Sequence, residues 1–279
     1  MSVISIETRK ANELAATSNI GDSSIFMVHD GTGLKRITFE DVKRAMVYPN
    51  AGSHNTIYRG KNLGSTVTQA QYTAIANGTF DDLFIGDYWT INNINYRIAA
   101  FDYFYNTGDA LCTSHHIVIV PDQCLYNGKM NDANTTQGGY VGSAMYRSGL
   151  ENAKSRIRSA FTSHIMRHRM YFTNAVSNNS ISGGAWFDSD VDLMSEQMVY
   201  GGLIFMPTSN SAVIPPNYRV DKSQLPLFQH NHSLISNGSA WWLRDIISGN
   251  QFSCMYGYGN PTCDPANYEY GVRPFFCIS

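Results

Sequence analysis

Histidine, carboxylate and cysteine side chains carry most protein chemistry, and their spacing in this chain argues against catalysis. His164 and His168 stand four apart within a helical pattern, a separation that suits a metal ion. Ile165 and Met166 follow His164 where a metalloprotease needs Glu, so the pair reads as core or interface histidines. His230-Asn231-His232 has the letters of a nuclease but no ββα-metal surroundings, and reads as a turn. His115-His116 opens a strand and reads as structural. Asp188, Asp190 and Asp192 alternate as in a calcium loop. The glycine at the sixth position and the glutamate at the twelfth are missing, so Asp190 is expected to cap a helix instead. Cys112, Cys124, Cys254, Cys263 and Cys277 form neither a CxxC pair nor an even framework. Mostly buried thiols are expected, with a Cys254–Cys263 bridge left open. The carboxylates are scattered rather than paired across a groove, which disfavours glycan hydrolysis. The expectation is therefore no catalytic residue, no metal and no cofactor.

Composition points to surface contact instead. Tyr occurs 17 times in 279 residues, and only 15% of residues are charged. Tyrosine offers rigid amphipathic contact area, while Asn, Ser and Gly offer adaptable hydrogen bonds, as in binding loops. A loop-rich mixed fold would account for the same composition. The net charge of −2, with no basic cluster, disfavours nucleic-acid binding. No apolar run is long enough to insert in a membrane. Met1 to Lys10 lacks the basic start and apolar core of a secretory signal. A protein that acts outside a cell but lacks such a signal could leave by cell lysis.

Residues 1–50 read as a small module. Ser24 to His29 is a strand, Asp30 to Gly33 a turn, and Leu34 to Ile37 a returning strand. Thr38, with Asp41 three residues on, starts a helix whose Phe39, Val42 and Met46 share one face. A hairpin with one helix is too small to stand alone, so it must self-associate or dock. Residues 51–57 read as a linker, and 58–279 as the main domain. There, a helix is expected from Ser65 or Thr66 to Ile75, and a hairpin from Asp87 to Ala100 turning at Asn92-Asn93. His116 to Val120 is a buried strand. The longest helix is expected from Leu150 to His168, on apolar residues at helical spacing. Another runs from Asp190 to Met198, before a short strand from Leu203 to Met206.

Two stretches carry a resemblance. Gly21 to Ala45 resembles the leading segment of many phage tail and fibre proteins: strand, short turn, strand, helix. Tyr58 to Lys61, Phe80 to Trp89, Ala99 to Phe104, His116 to Pro121 and Met130 to Tyr140 resemble a family of phage and prophage proteins from Firmicutes. The closing bracket, Trp242-Leu243-Arg244 to Tyr270-Gly271-Val272-Arg273-Pro274, is similar to C-type-lectin-like domains of bacterial and phage surface proteins. Domains of this kind are displayed by diversity-generating retroelements, which vary residues inside the bracket. The resemblance spans about residues 57–279. It implies an α+β fold, an antiparallel sheet with two or three helices. The Glu-Pro-Asn and Trp-Asn-Asp triplets of calcium-dependent lectins are missing, as is the cysteine pattern of formylglycine-generating enzymes.

Within the bracket, Trp241 and Trp242 are expected to anchor a core strand. Arg244 and Arg273 are expected to pair with carboxylates or carbonyls, and Tyr270, Phe275 and Phe276 to fill the core. Ser248 to Glu269 reads as a long irregular segment on a rigid sheet. It supplies the expected ligand-binding residues: Asn250, Gln251, Met255, Tyr256, Tyr258, Asn260, Asp264, Asn267 and Glu269. The resulting expectation is a phage fibre or spike protein. It would be a homotrimer joined to other virion proteins through residues 1–50, binding a host-surface glycan or protein. A decoration protein without a ligand, and a capsule-degrading or cell-wall-degrading enzyme, are the alternatives.

Overall fold

The computed structural model of the chain describes residues 21, 23–29, 31–39, 41–42, 50–173, 176–177, 180–181, 183–205 and 223–279. By contact it divides into two compact units, residues 1–48 and 49–279. In the first, β1 (Ile25–His29) pairs antiparallel with β2 (Leu34–Thr38). Thr38 then caps the next turn as its spacing from Asp41 suggests. The Asp41 amide donates to Thr38 Oγ1 (3.1 Å), and the Thr38 amide donates to the Asp41 carboxylate (3.3 Å). The expected continuation to Met46 lies outside the described residues. Phe26 packs on Phe39, ring centroids 5.9 Å apart. Alternation sends Ile25 and Met27 to the other face, with Leu34 across the hairpin, and there they are 57%, 65% and 71% exposed.

The second unit begins with α1 (Ala51–His54), where a linker was expected. The Asn50 side chain caps it by accepting from the Ser53 amide. His54 is buried among Phe80, Phe84 and Phe101, so these residues belong to the core rather than to a spacer. α2 (Gln69–Ala76) starts at Thr68, which forms a reciprocal box with Gln71; Ser65 and Thr66 lack such a partner. β3 (Tyr88–Ile91) and β4 (Ile94–Phe101) form the expected hairpin. Asn92 and Asn93 both take positive φ, +51° and +62°, which asparagine tolerates better than most residues. β5 (Ile117–Pro121) is buried throughout, and β6 (Tyr126–Gly128) follows.

After α3 (Gly139–Gly142), α4 (Glu151–Phe161) is shorter than the expected helix to His168. Thr162 takes φ +54° and ends it. The chain continues as β7 (Ile165–Met166) and β8 (His168–Thr173). In β8 burial alternates residue by residue, and the period of two overrides the helical spacing that Ile165 and His168 happened to continue. His164 stacks on Tyr72 instead of sharing a helix face with His168. β9 (Val176–Ser177) pairs with β10 (Ser180–Ile181), and β11 (Gly184–Ser189) with β8.

Asp190 does not cap a helix. It precedes β12 (Val191–Leu193), and Ser195 caps α5 (Glu196–Tyr200), which stops at Gly201 with φ +81°. Leu203 to Phe205 form no strand; Met206 lies outside the described residues. α6 (Pro226–His230) leads past a short 3₁₀ turn, His232–Leu234, to β13 (Trp241–Ile246). Ser248 to Glu269 is not irregular. It holds β14 (Gln251–Met255) and β15 (Pro261–Pro265), a paired hairpin, before β16 (Tyr270–Val272) and β17 (Pro274–Ile278). Prolines at both ends of β15 mask the strand in the sequence.

The fold is thus a mixed α+β one with several antiparallel sheets and short helices. One sheet has the order β12-β17-β5-β4-β3, with β7 beside β17; the other runs β15-β14-β13-β16-β6. The chain crosses between them at Arg273, between β16 and β17. Arg273 is fully buried, and its guanidinium donates to the carbonyls of Pro121 (2.8 Å), Leu234 (2.9 Å) and Ile235 (3.2 Å). Trp241 and Trp242 are buried in β13 as expected, and Phe275 and Phe276 in β17. Tyr270 is only half-buried. Arg244 is buried beneath the Phe172 ring, 5.1 Å from its centroid. All five cysteines are free thiols. Cys263 sits opposite Ser253 in the hairpin, so alternation turns it away from the face of Cys254.

His116 is buried beside this core. Its Nε2 accepts from the Phe104 amide at 3.0 Å, and Nδ1 lies 2.9 Å from the Ser114 carbonyl. Both contacts are satisfied only by the neutral ring protonated at Nδ1. Burial pushes this imidazole down to about 4, below its ordinary 6.5. An unfolded chain takes up the proton near pH 6.5 and the native one does not until about 4, so stability is lost as pH falls through that interval. At 1.36 kcal/mol per unit the loss is about 3 kcal/mol. Urea unfolding at pH 7.0 and 4.5 should show this drop in the parent chain and a smaller one in His116→Gln. Equal drops in the two would remove His116 as its source.

Candidate functional site

The nine expected ligand-binding residues do not form one surface. They divide along the β14–β15 hairpin. Tyr256, Tyr258 and Asn260 lie in its turn and are exposed. Asn250, Asn267 and Glu269, also exposed, flank its other end, beside half-buried Gln251. A five-residue strand puts roughly 16 Å between these ends. Met255 is fully buried and belongs to the core. Asp264 holds the hairpin internally: it accepts from Cys254 Sγ at 3.3 Å and from the Tyr270 hydroxyl at 3.1 Å. Burial first, and then this carboxylate, push the Cys254 thiol up, so it stays protonated at neutral pH.

The turn's backbone is held from three sides. The Tyr256 amide donates to the Asn260 carbonyl (2.9 Å), and the Gly259 amide to the Tyr256 carbonyl (2.8 Å). Gly259 takes φ +93°, which a side chain would strain. From α5, the Tyr200 hydroxyl donates to the Gly259 carbonyl at 3.2 Å. The 236–238 segment approaches from the other side: the Ser236 hydroxyl and the Gly238 amide both donate to the Gly257 carbonyl. A Cβ on Gly257 would come within 2.9 Å of Gly238 backbone atoms, so only glycine permits this approach. The side chains are treated differently. Tyr258 is 93% exposed and Tyr256 44%.

Beside the turn lies an open groove of about 660 Å³. Tyr258, Asn260 and Pro261 form one side, Tyr200 and Ile204 another, and His232, Ser233, Ile235 and Ser236 the third. Glu196, fully buried at the start of α5, fixes the wall: it accepts from the amides of Ile204 (2.7 Å) and Phe205 and from the Ser253 hydroxyl (2.7 Å). The tie to Ser253 joins that wall directly to β14. Burial first, with Glu196 adding, raises the Tyr200 phenol well above its ordinary value, so it remains a donor.

Sequence reasoning found the turn and missed the groove's other two sides. The His230-Asn231-His232 turn was visible, but nothing in one sequence brings it beside residues 256–260. Among the described residues, no group of three or more His, Cys, Asp or Glu side chains could hold a metal ion. His168 is buried against Asp192 (3.1 Å), whose other oxygen accepts from the Tyr140 hydroxyl at 3.3 Å; all three are core groups, and none lines the groove. The arrangement can therefore bind through aromatic faces and neutral polar groups. Searches against protein-family models, curated proteins and solved structures return no match.

The split between core and display has a stability signature. Met255→Ala should cost about 2–5 kcal/mol, as buried Met deletions do. Tyr258→Ala should stay within about 0.5 kcal/mol of the parent. Urea titration of the three proteins checks both, and a large loss in Tyr258→Ala would make that ring a structural element.

Proposed function

We propose that the chain is a bacteriophage virion protein, a fibre or spike, that binds a host-cell surface through the β14–β15 turn and its groove. The observation that carries this reading is the contrast within residues 256–260. The backbone is pinned by α5 and by the 236–238 segment, while Tyr258 stands 93% exposed. An exposed tyrosine on a rigid backbone loses little entropy on binding. The finer reading of the fold as C-type-lectin-like belongs to the same proposal. Its support is the bracket from Trp242 to Pro274: Trp242 to Arg244 lie on β13 and Tyr270 to Val272 on the neighbouring β16, with Trp241 opposite Gly271. Within this reading the binding residues narrow to Tyr256, Tyr258 and Asn260.

Residues 1–48 serve as the attachment unit in this proposal, joining three copies and docking them on the virion. A unit of this size needs disulfides, a metal or association to persist, and no cysteine precedes Cys112. The apolar face of Ile25, Met27 and Leu34 is what association would cover. Light scattering on the full chain should give a mass of three protomers. Changing Met27 and Leu34 together to Asp should lower it to one. A monomeric parent chain would remove the trimer.

Binding of labelled full-length protein to a panel of Firmicutes cells tests the receptor role. Strain-selective binding is expected, with a loss of about tenfold or more in Tyr256→Ala/Tyr258→Ala/Asn260→Ala. Absence of binding to every strain, or equal binding by the variant, would favour a decoration protein without a ligand.

A further inference from the structure

The groove beside Tyr258 has a definite chemical character. Among its described lining residues none is Asp, Glu, Lys or Arg. Among these described residues an anionic ligand finds no guanidinium or ammonium, and a cationic one no carboxylate. The lining is instead tyrosine, serine, histidine and asparagine, with Ile204, Ile235 and Pro261 supplying apolar surface. Three of its polar groups project without a hydrogen bond to another described residue: the Tyr258 hydroxyl, the Asn260 amide and the His232 imidazole. Together they offer donors and acceptors with no net charge from Asp, Glu, Lys or Arg. By contrast, the groove's other hydroxyls are committed: Tyr200 to Gly259, Ser236 to Gly257, and Ser233 to the Asn231 side chain.

Such a set matches a ligand that is uncharged, dense in hydroxyls and flat on one face. Each hydroxyl of a sugar both donates and accepts, so it needs neutral partners of both kinds. The aliphatic C–H face of a pyranose carries slight positive charge and suits the negative face of a phenol ring. The groove volume of about 660 Å³ falls among those of small-ligand clefts, roughly 300–1,000 Å³. Its open side admits a chain running past the turn. We propose that this groove binds a neutral oligosaccharide, with one sugar ring stacked on Tyr258 and its hydroxyls bonded to Asn260 and His232. The inference rests on the reading of this turn as the receptor-binding surface and names the receptor's chemistry.

The test uses the full-length chain on an array of immobilised neutral and anionic oligosaccharides, and on intact cells treated with periodate or with protease. At least one neutral glycan should bind, with anionic ones no better. Tyr258→Ala should weaken it about tenfold or more, and Tyr258→Phe, which keeps the stacking face, by less than about threefold. Cell binding should be lost after periodate, which cleaves vicinal diols, and should survive protease. A silent array, or one that binds only anionic glycans, overturns the proposal. Cell binding that survives periodate and is lost to protease also overturns it, while leaving the receptor reading intact with a protein as ligand. Array binding without binding to any cell upholds the sugar groove and removes the receptor reading.

Discussion

One buried guanidinium governs the arrangement of this domain. Arg273 sits where the chain leaves one sheet and enters the other, between β16 and β17. Among the described residues no carboxylate bonds to it; three backbone carbonyls do. Burial of an arginine is costly, and the strain of removing its water is visible in a proton affinity pushed down to about 10, still high enough to keep the charge at neutral pH. The rings of Trp241 and Phe228, 5.2 and 5.7 Å from the guanidinium carbon, return part of that cost. A lysine could not replace this fork, because three carbonyls in different directions need the spread of guanidinium donors. The flanking glycine follows from the same crowding. A Cβ on Gly271 would fall 2.3 Å from Cys124 Sγ.

The same contact reaches the groove. Pro121 ends β5 in the first sheet, whereas Leu234 and Ile235 lie in the segment that carries His232, Ser233 and Ser236. Arg273 therefore fixes the groove's wall to the junction of the sheets. Ser236 passes that constraint to Gly257, and Tyr200 supplies a second one from α5. Glu196 adds a third through Ser253. The turn is short, but its position is set by elements separated by scores of residues. That is the form of a preorganised site, in which rigid supports hold a surface and binding need not order it.

How much of this was legible in the sequence depended on whether a signal was local. The Asn92-Asn93 turn, the Thr38–Asp41 box and the buried β5 strand are local, and all stand as read. The bracket correctly marked Trp241 and Trp242 as strand anchors and Arg273 as structural. Errors arose where two periods competed. Ile165 and His168 continue the spacing of α4, yet Thr162 breaks the helix and β8 begins. Asp190 sat where a cap is plausible, but Ser195 had the closer claim to the amides of α5. Between Ser248 and Glu269 the prolines and glycines suggested loop, although they only punctuate the ends of two strands. The groove itself was invisible, because residues near 200, 232 and 258 meet only through the fold.

The division along the β14–β15 hairpin separates residues that hold the core from residues that face outward. Phe252 to Met255 are buried one after another, since both faces of β14 are covered. A change there disturbs the core. Immediately after Met255, the backbone of the turn is bonded while the Tyr258 side chain is 93% exposed. The conformation of residues 256–260 depends on Gly257, Gly259 and main-chain carbonyls, so the identities at 256, 258 and 260 are free of the fold's demands. Core packing and surface display are thereby assigned to different residues of one hairpin. Substitutions at the exposed positions alter the contact surface while the support from Arg273, Ser236, Tyr200 and Glu196 remains as it is. A surface under pressure to vary is stable only if its scaffold does not read the varied side chains, and this hairpin meets that condition.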